Sequence, residues 1–87
     1  MFNDLFSIDN LEKLDLHGET RDFARIKILE FLKDSHLLKK KYVLIVHGKG
    51  NFILKEETHK TLKTNKYVED YKIYYYNEGC TVVKLKY

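Results

Sequence analysis

A single cysteine, Cys80, stands in this chain of 87 residues. A lone thiol forms no intramolecular disulfide and has no second sulfur with which to build a zinc site, so a reducing compartment, the cytoplasm, is expected. Long apolar runs are missing as well. None approaches the roughly 18–20 residues that cross a bilayer, and the N-terminus carries Asp4 and Asp9 where a secretory signal would be basic. No membrane role is expected. There is no internal repeat, no low-complexity stretch and no linker, and the length allows one domain, not two. Charge of one sign is also scarce: a net +3 permits a polyanionic partner but falls short of a protein that coats DNA passively.

What is present is material for a core. With 44% hydrophobic residues, seven Tyr and five Phe, the chain is not composed like a disordered one. Residues 1–10 show no clean periodicity and are read as an N-terminal extension, with the domain proper at 11–87. Lys13-Leu14-Asp15-Leu16-His17 alternates at period two, which predicts a short strand with Leu14 and Leu16 on one face and Asp15 and His17 on the other. Gly18 ends it. Thr20 is a plausible N-cap for a helix to about residue 37, where Ala24, Ile28, Phe31 and Leu32 recur at helical spacing without Gly or Pro.

After the charged connector Lys39-Lys40-Lys41, the run Tyr42-Val43-Leu44-Ile45-Val46 reads as a strand buried on both faces and therefore central. His47-Gly48-Lys49-Gly50-Asn51 is the turn that follows. Asn51 caps a second helix over about 52–64, on which Glu56 and Lys60 are spaced as an i,i+4 pair and His59, like His36 on the first helix, faces solvent. Tyr71, Ile73 and Tyr75 alternate with Lys72, Tyr74 and Tyr76. Asn77-Glu78-Gly79 then turns the chain into a last strand over 81–86, closing a β-hairpin. The order is βαβαββ, an α+β fold: a two-layer α/β sandwich on a mixed four-stranded sheet. A right-handed crossover makes the first two strands parallel and delivers His17 and His47 to one sheet edge, the edge where open α/β sheets favour ligands.

Asp15 two residues before His17 is placed to orient or charge-stabilise the imidazole, making His17 a candidate acid or base. An Asp-x-His at a strand end more often serves as an N-cap or turn contact for the following helix, and spacing alone favours that structural role. His47 supplies a second imidazole. Gly48 and Gly50 let backbone amides turn toward an anion, and Lys49 adds charge. Two histidines and a carboxylate can divide the proton transfers of phosphodiester cleavage, and RNA brings its own attacking 2′-hydroxyl. The loop lacks the longer glycine pattern and Lys-Ser/Thr ending of a P-loop, so its pattern by itself favours a tight strand-to-helix turn. Asp15, His17 and His47 form neither a His-x-His nor a His-Glu-x-x-His pattern, so no resident metal is expected. Cys80 has no basic neighbour in sequence that would make it a nucleophile.

Leu14-Asp15-Leu16-His17-Gly18, Val46-His47-Gly48-Lys49-Gly50 and Gly79-Cys80-Thr81-Val82-Val83 together resemble the Smr family, the small domain found at the C-terminus of bacterial MutS2 proteins and as stand-alone proteins. The resemblance spans about 11–86. It implies a fold similar to the C-terminal domain of bacterial translation initiation factor three, and nicking or endonuclease activity on DNA or RNA, in a ribosomal setting for MutS2. Carried over by position, Asp15 and His17 would act in cleavage, and His47, Gly48, Lys49 and Gly50 in substrate binding or catalysis. Lys55 joins the phosphate-binding set as a point charge where the family has a bidentate arginine, and Phe52 stands where many members have a glycine, narrowing the cleft. The expectation is a nucleic-acid-binding, monomeric domain with endonuclease activity. RNA cleavage would need no cofactor, whereas DNA nicking would draw on Mg²⁺ or Mn²⁺ to activate water. The rival is a non-catalytic module that binds RNA, DNA or the ribosome with the same edge.

Overall fold

The computed structural model describes residues 10–50, 52–74 and 79–87. Its elements run β1 (Glu12–Asp15), α1 (Arg21–Leu37), β2 (Tyr42–Val46), α2 (Phe52–Thr64), β3 (Val68–Ile73) and β4 (Cys80–Leu85). The sheet order is β1-β2-β4-β3, with β1 parallel to β2 and the other pairs antiparallel. This is the expected mixed four-stranded α+β arrangement, with β2 inside the sheet. The last strand inserts between β2 and β3 and so completes the hairpin while sealing the central strand.

Local chemistry accounts for the elements. The Thr20 hydroxyl accepts from Phe23 N at 3.3 Å and caps α1, as its sequence position suggests. Ala24, Ile28 and Leu32 then line one stripe of that helix, fully buried. β2 alternates between two clusters. Val43 and Ile45 join α1, Leu54 and Leu62 of α2, and Val83 and Leu85 of β4. Tyr42 and Leu44 pack with Cys80 and Val82 on the other face. A strand apolar on both faces is the consequence of having both clusters to serve. Each fully buried side chain such as Ile28 or Ile45 contributes about 1.5–3 kcal/mol.

Several boundaries differ from the sequence expectation. β1 ends at Asp15, two residues early, and β3 opens at Val68 rather than near Tyr71. A run from Tyr67 into Asp70 reads as polar and turn-like, and only its pairing with β4 makes it a strand. The Asn51 cap, the strand positions Tyr75 and Tyr76, the turn residues Asn77 and Glu78, and residues 1–9 of the extension lie outside the described residues. Glu56 and Lys60 form no ion pair among the described residues. His36 is not a free surface residue. Its Nε2–H donates to the Lys86 carbonyl at 2.9 Å and its ring stacks on Tyr87, which pins the end of β4 to α1.

Candidate functional site

Parallel pairing sets the site. Asp15 is in register with Val46, and Leu16 N donates to Val46 O at 2.8 Å, so His17 and His47 emerge side by side where both strands end. A cleft of about 410 Å³ at that edge is lined by His17, Gly18, His47, Gly48, Lys49 and Gly50. Sequence reasoning had placed five of these six there. Asp15 lies behind the cleft: its Oδ1 accepts from His17 N at 2.9 Å. The carboxylate therefore holds the backbone that carries the imidazole. Both residues are exposed, and Gly18 turns the chain away with φ +81°, a conformation suited to glycine.

The glycine loop is more constrained than its pattern suggests. Gly48 takes φ +93°, and its N–H, with that of His47, donates to Gly79 O at 3.0 and 2.8 Å. The Gly48 amide is thus spent on anchoring the loop to β4 and does not serve a bound anion, a correction to its expected role. The amides of Lys49 and Gly50 bond to no described residue, so they are the donors left at the mouth, beside the Lys49 ammonium. A Cβ at Gly50 would meet nothing within 4 Å.

His47 reaches the expected edge, but its ring turns inward. It is 1% exposed, and its Nε2 meets Thr81 Oγ1 at 2.9 Å. The same hydroxyl lies 2.9 Å from Nε2 of His59, which is half-buried and not the solvent-facing residue its helix position suggests. The rings of His47 and His59 meet edge to face, with centroids 6.0 Å apart. A hydroxyl has one hydrogen and two lone pairs, so Thr81 can bond both imidazoles while donating to at most one of them. The buried Nδ1 of His47 has no hydrogen-bond partner among the described residues. The Gly48 backbone beside this ring favours its charged form, a pull that burial outweighs.

Burial pushes both imidazoles below the usual histidine value, with the Lys55 cation adding to the effect at each. Both rings are neutral at neutral pH as a result. The sign for stability follows. Below the unfolded value of 6.5 the unfolded chain takes up protons that the folded one refuses, so stability is full above that pH and is lost as pH falls toward the two depressed values. Thermal denaturation should therefore give a level midpoint between pH 8 and 7, falling below about 6.5, and His59→Asn should flatten part of that fall. A midpoint that rises on acidification would contradict the assignment. Burial likewise raises the Cys80 thiol, which leaves it unreactive.

Lys55 and Phe52 do not line the glycine-loop cleft. They open a neighbouring groove between α2 and β3, so Phe52 does not narrow the cleft. Thr81 and His59 escaped the sequence reading, although a signal existed. Thr81 is a polar residue on the otherwise apolar helix-facing side of its strand, and His59 falls on the same helical stripe as Phe52 and Lys55. Among the described residues no three His, Cys, Asp or Glu side chains gather as metal ligands, and no helix is long and apolar enough to cross a membrane.

A mixed sheet backed by two helices, its polar groups gathered where two parallel strands end, defines a small α+β domain with an edge site. The chain belongs to the Smr domain family, whose model matches residues 14–86. It is similar to the endonuclease MutS2 of Fusobacterium nucleatum subsp. nucleatum, 35% identical over 91 residues, covering 94% of this chain and 12% of that protein. It is also similar to the endonuclease MutS2 of Halothermothrix orenii, 36% identical over 76 residues, covering 84% of this chain and 10% of that protein. The chain thus spans about a tenth of the length of the curated relatives it matches. The Smr domain of Thermus thermophilus MutS2 superposes with TM-score 0.85 at 26% identity, covering 88% of this chain and all of that one. The fold is also that of YdaL, a stand-alone small MutS-related protein from Escherichia coli, with TM-score 0.79 at 21% identity over 86% of this chain and 64% of that one.

Proposed function

We propose that this domain binds nucleic acid at the β1–β2 edge and cleaves RNA there, with His17 as the general base. The observation that carries the reading is the cleft itself: the exposed His17 shares a space of about 410 Å³ with Lys49 and Gly50, whose amides bond to no described residue. A phosphodiester seated on those donors would present its neighbouring 2′-hydroxyl to His17. His17 takes the hydroxyl proton, the 2′-oxygen bonds to phosphorus, and the P–O5′ bond breaks. A 2′,3′-cyclic phosphate and a 5′-hydroxyl result, the latter protonated from water. Lys49 and the two amides oppose the charge that builds on the phosphoryl oxygens. Similarity to proteins named endonuclease MutS2 supports the choice of activity.

The donor set does not fit a resident divalent ion. Among the described residues no carboxylate lines the cleft, and one oxygen of Asp15, two residues before His17, is taken by the His17 amide. No step is therefore routed through Mg²⁺ or Mn²⁺, and RNA is preferred to DNA. A second reading has its own support. His47 is neutral and tied to Thr81, so the two-imidazole scheme expected from sequence is reduced to one exposed ring, and an anion-binding module for RNA or the ribosome needs none.

Incubation with single-stranded RNA and with supercoiled plasmid, each with and without EDTA, separates these. The expected result is RNA cleavage that survives EDTA and leaves cyclic phosphate ends. Binding without cleavage of either substrate would establish the module instead, and EDTA-sensitive nicking would overturn the 2′-hydroxyl route.

A further inference from the structure

We propose that the groove between α2 and β3 is a second nucleotide subsite, which takes an unpaired base and its flanking phosphates from a single strand seated in the β1–β2 cleft. The groove encloses about 530 Å³. Lys55, Lys60 and Lys63 line it, and no described residue forms an ion pair with any of the three. Glu56 is the one acid on its walls. Between the lysines lie flat rings: Phe52, 65% exposed, and His59 tilted against Tyr71 with centroids 5.2 Å apart. Cations interleaved with open ring faces match a strand that alternates phosphates and bases. An acidic peptide would use the lysines and leave Phe52 in water.

The groove and the cleft share no wall residue, and a buried chain of hydrogen bonds links them. His59 lines the groove and bonds Thr81, which bonds His47 in the cleft. Lys55 sits at the junction, close enough to act electrostatically on both imidazoles. From Phe52 to Lys63, α2 rises about 16 Å, the reach of a few nucleotides. A duplex keeps its bases stacked inside and cannot offer one to Phe52, so the groove selects single strands. Neutral at neutral pH, the His59 ring offers a stacking face and no added charge.

This deepens the cleavage reading, although binding alone tests it. The probe is a short fluorescein-labelled 2′-O-methyl RNA, which cannot attack its own phosphates, followed by anisotropy against salt concentration. Phe52→Ala should weaken binding about tenfold, and the loss should vanish on an abasic strand. The Lys60→Ala/Lys63→Ala double variant should reduce the salt slope by about 1.4, two contacts at about 0.7 each. Lys33→Ala, on the exposed side of α1, should do neither. Equal affinity for all variants, no binding by the wild-type chain, or displacement by polyglutamate with no difference between intact and abasic strands overturns the subsite. Parallel cleavage of unmodified RNA keeps the two claims apart. Cleavage with an unaffected groove sinks the subsite alone, and base-dependent binding without cleavage sinks the nuclease alone.

Discussion

His17→Ala is expected to lower RNA cleavage by about 10²–10⁴-fold, the range for removing a positioned general base, while shifting stability by no more than about 0.5 kcal/mol. The two halves rest on different facts. His17 lines the cleft, so proton abstraction is lost with the ring. Its one hydrogen bond among the described residues is made by the backbone, which alanine keeps. Asp15 gives the controlled comparison. Asn at that position retains an oxygen that can accept from His17 N, whereas Ala does not, so Asp15→Asn should keep far more activity than Asp15→Ala. If the two lose activity alike, the negative charge supports the imidazolium directly. Single-turnover rates with matched thermal midpoints decide this, and undiminished cleavage by His17→Ala would move the chemistry elsewhere.

The fold was legible wherever one force governed a segment. β2 announced itself as Tyr42-Val43-Leu44-Ile45-Val46 because burial on both faces leaves no polar position, and α1 and α2 lie at 21–37 and 52–64, where spacing puts them. The β3 start was hidden because Val68 is the one buried residue in its opening turn and pairing with β4, a non-local interaction, extends the strand around it. The edge site was legible for a topological reason: parallel strands must end together, so His17 and His47 had to share a cleft. Side-chain direction was not. Nothing in His47-Gly48-Lys49-Gly50 reveals that the His47 ring turns under the loop, that Gly79 takes the Gly48 amide, or that a threonine 34 residues away bridges two histidines. Those depend on which strand lies beside β2, and the neighbour is the last strand of the chain.

That bridge should be the costliest polar contact to remove. Thr81→Val keeps the volume and leaves the buried Nε2 of His47 facing a methyl group, at about 1–3 kcal/mol. His59 is half-buried and recovers part of its loss from solvent, while the added methyl returns under about 1 kcal/mol. The net expectation is about 1–3 kcal/mol, or a midpoint lower by about 5–20 °C in a domain of this size. Thr81→Ser makes the opposite change, keeping the hydroxyl and opening a methyl-sized gap among Val83, Ile45 and their neighbours, for about 1 kcal/mol. A core governed by apolar burial alone would rank the valine variant above the serine one. A hydroxyl that satisfies two imidazoles reverses that order. Thermal melts of the two variants at pH 7.5, where both rings are neutral, measure the difference, and a valine variant as stable as the wild type would show the bridge to be worth nothing net.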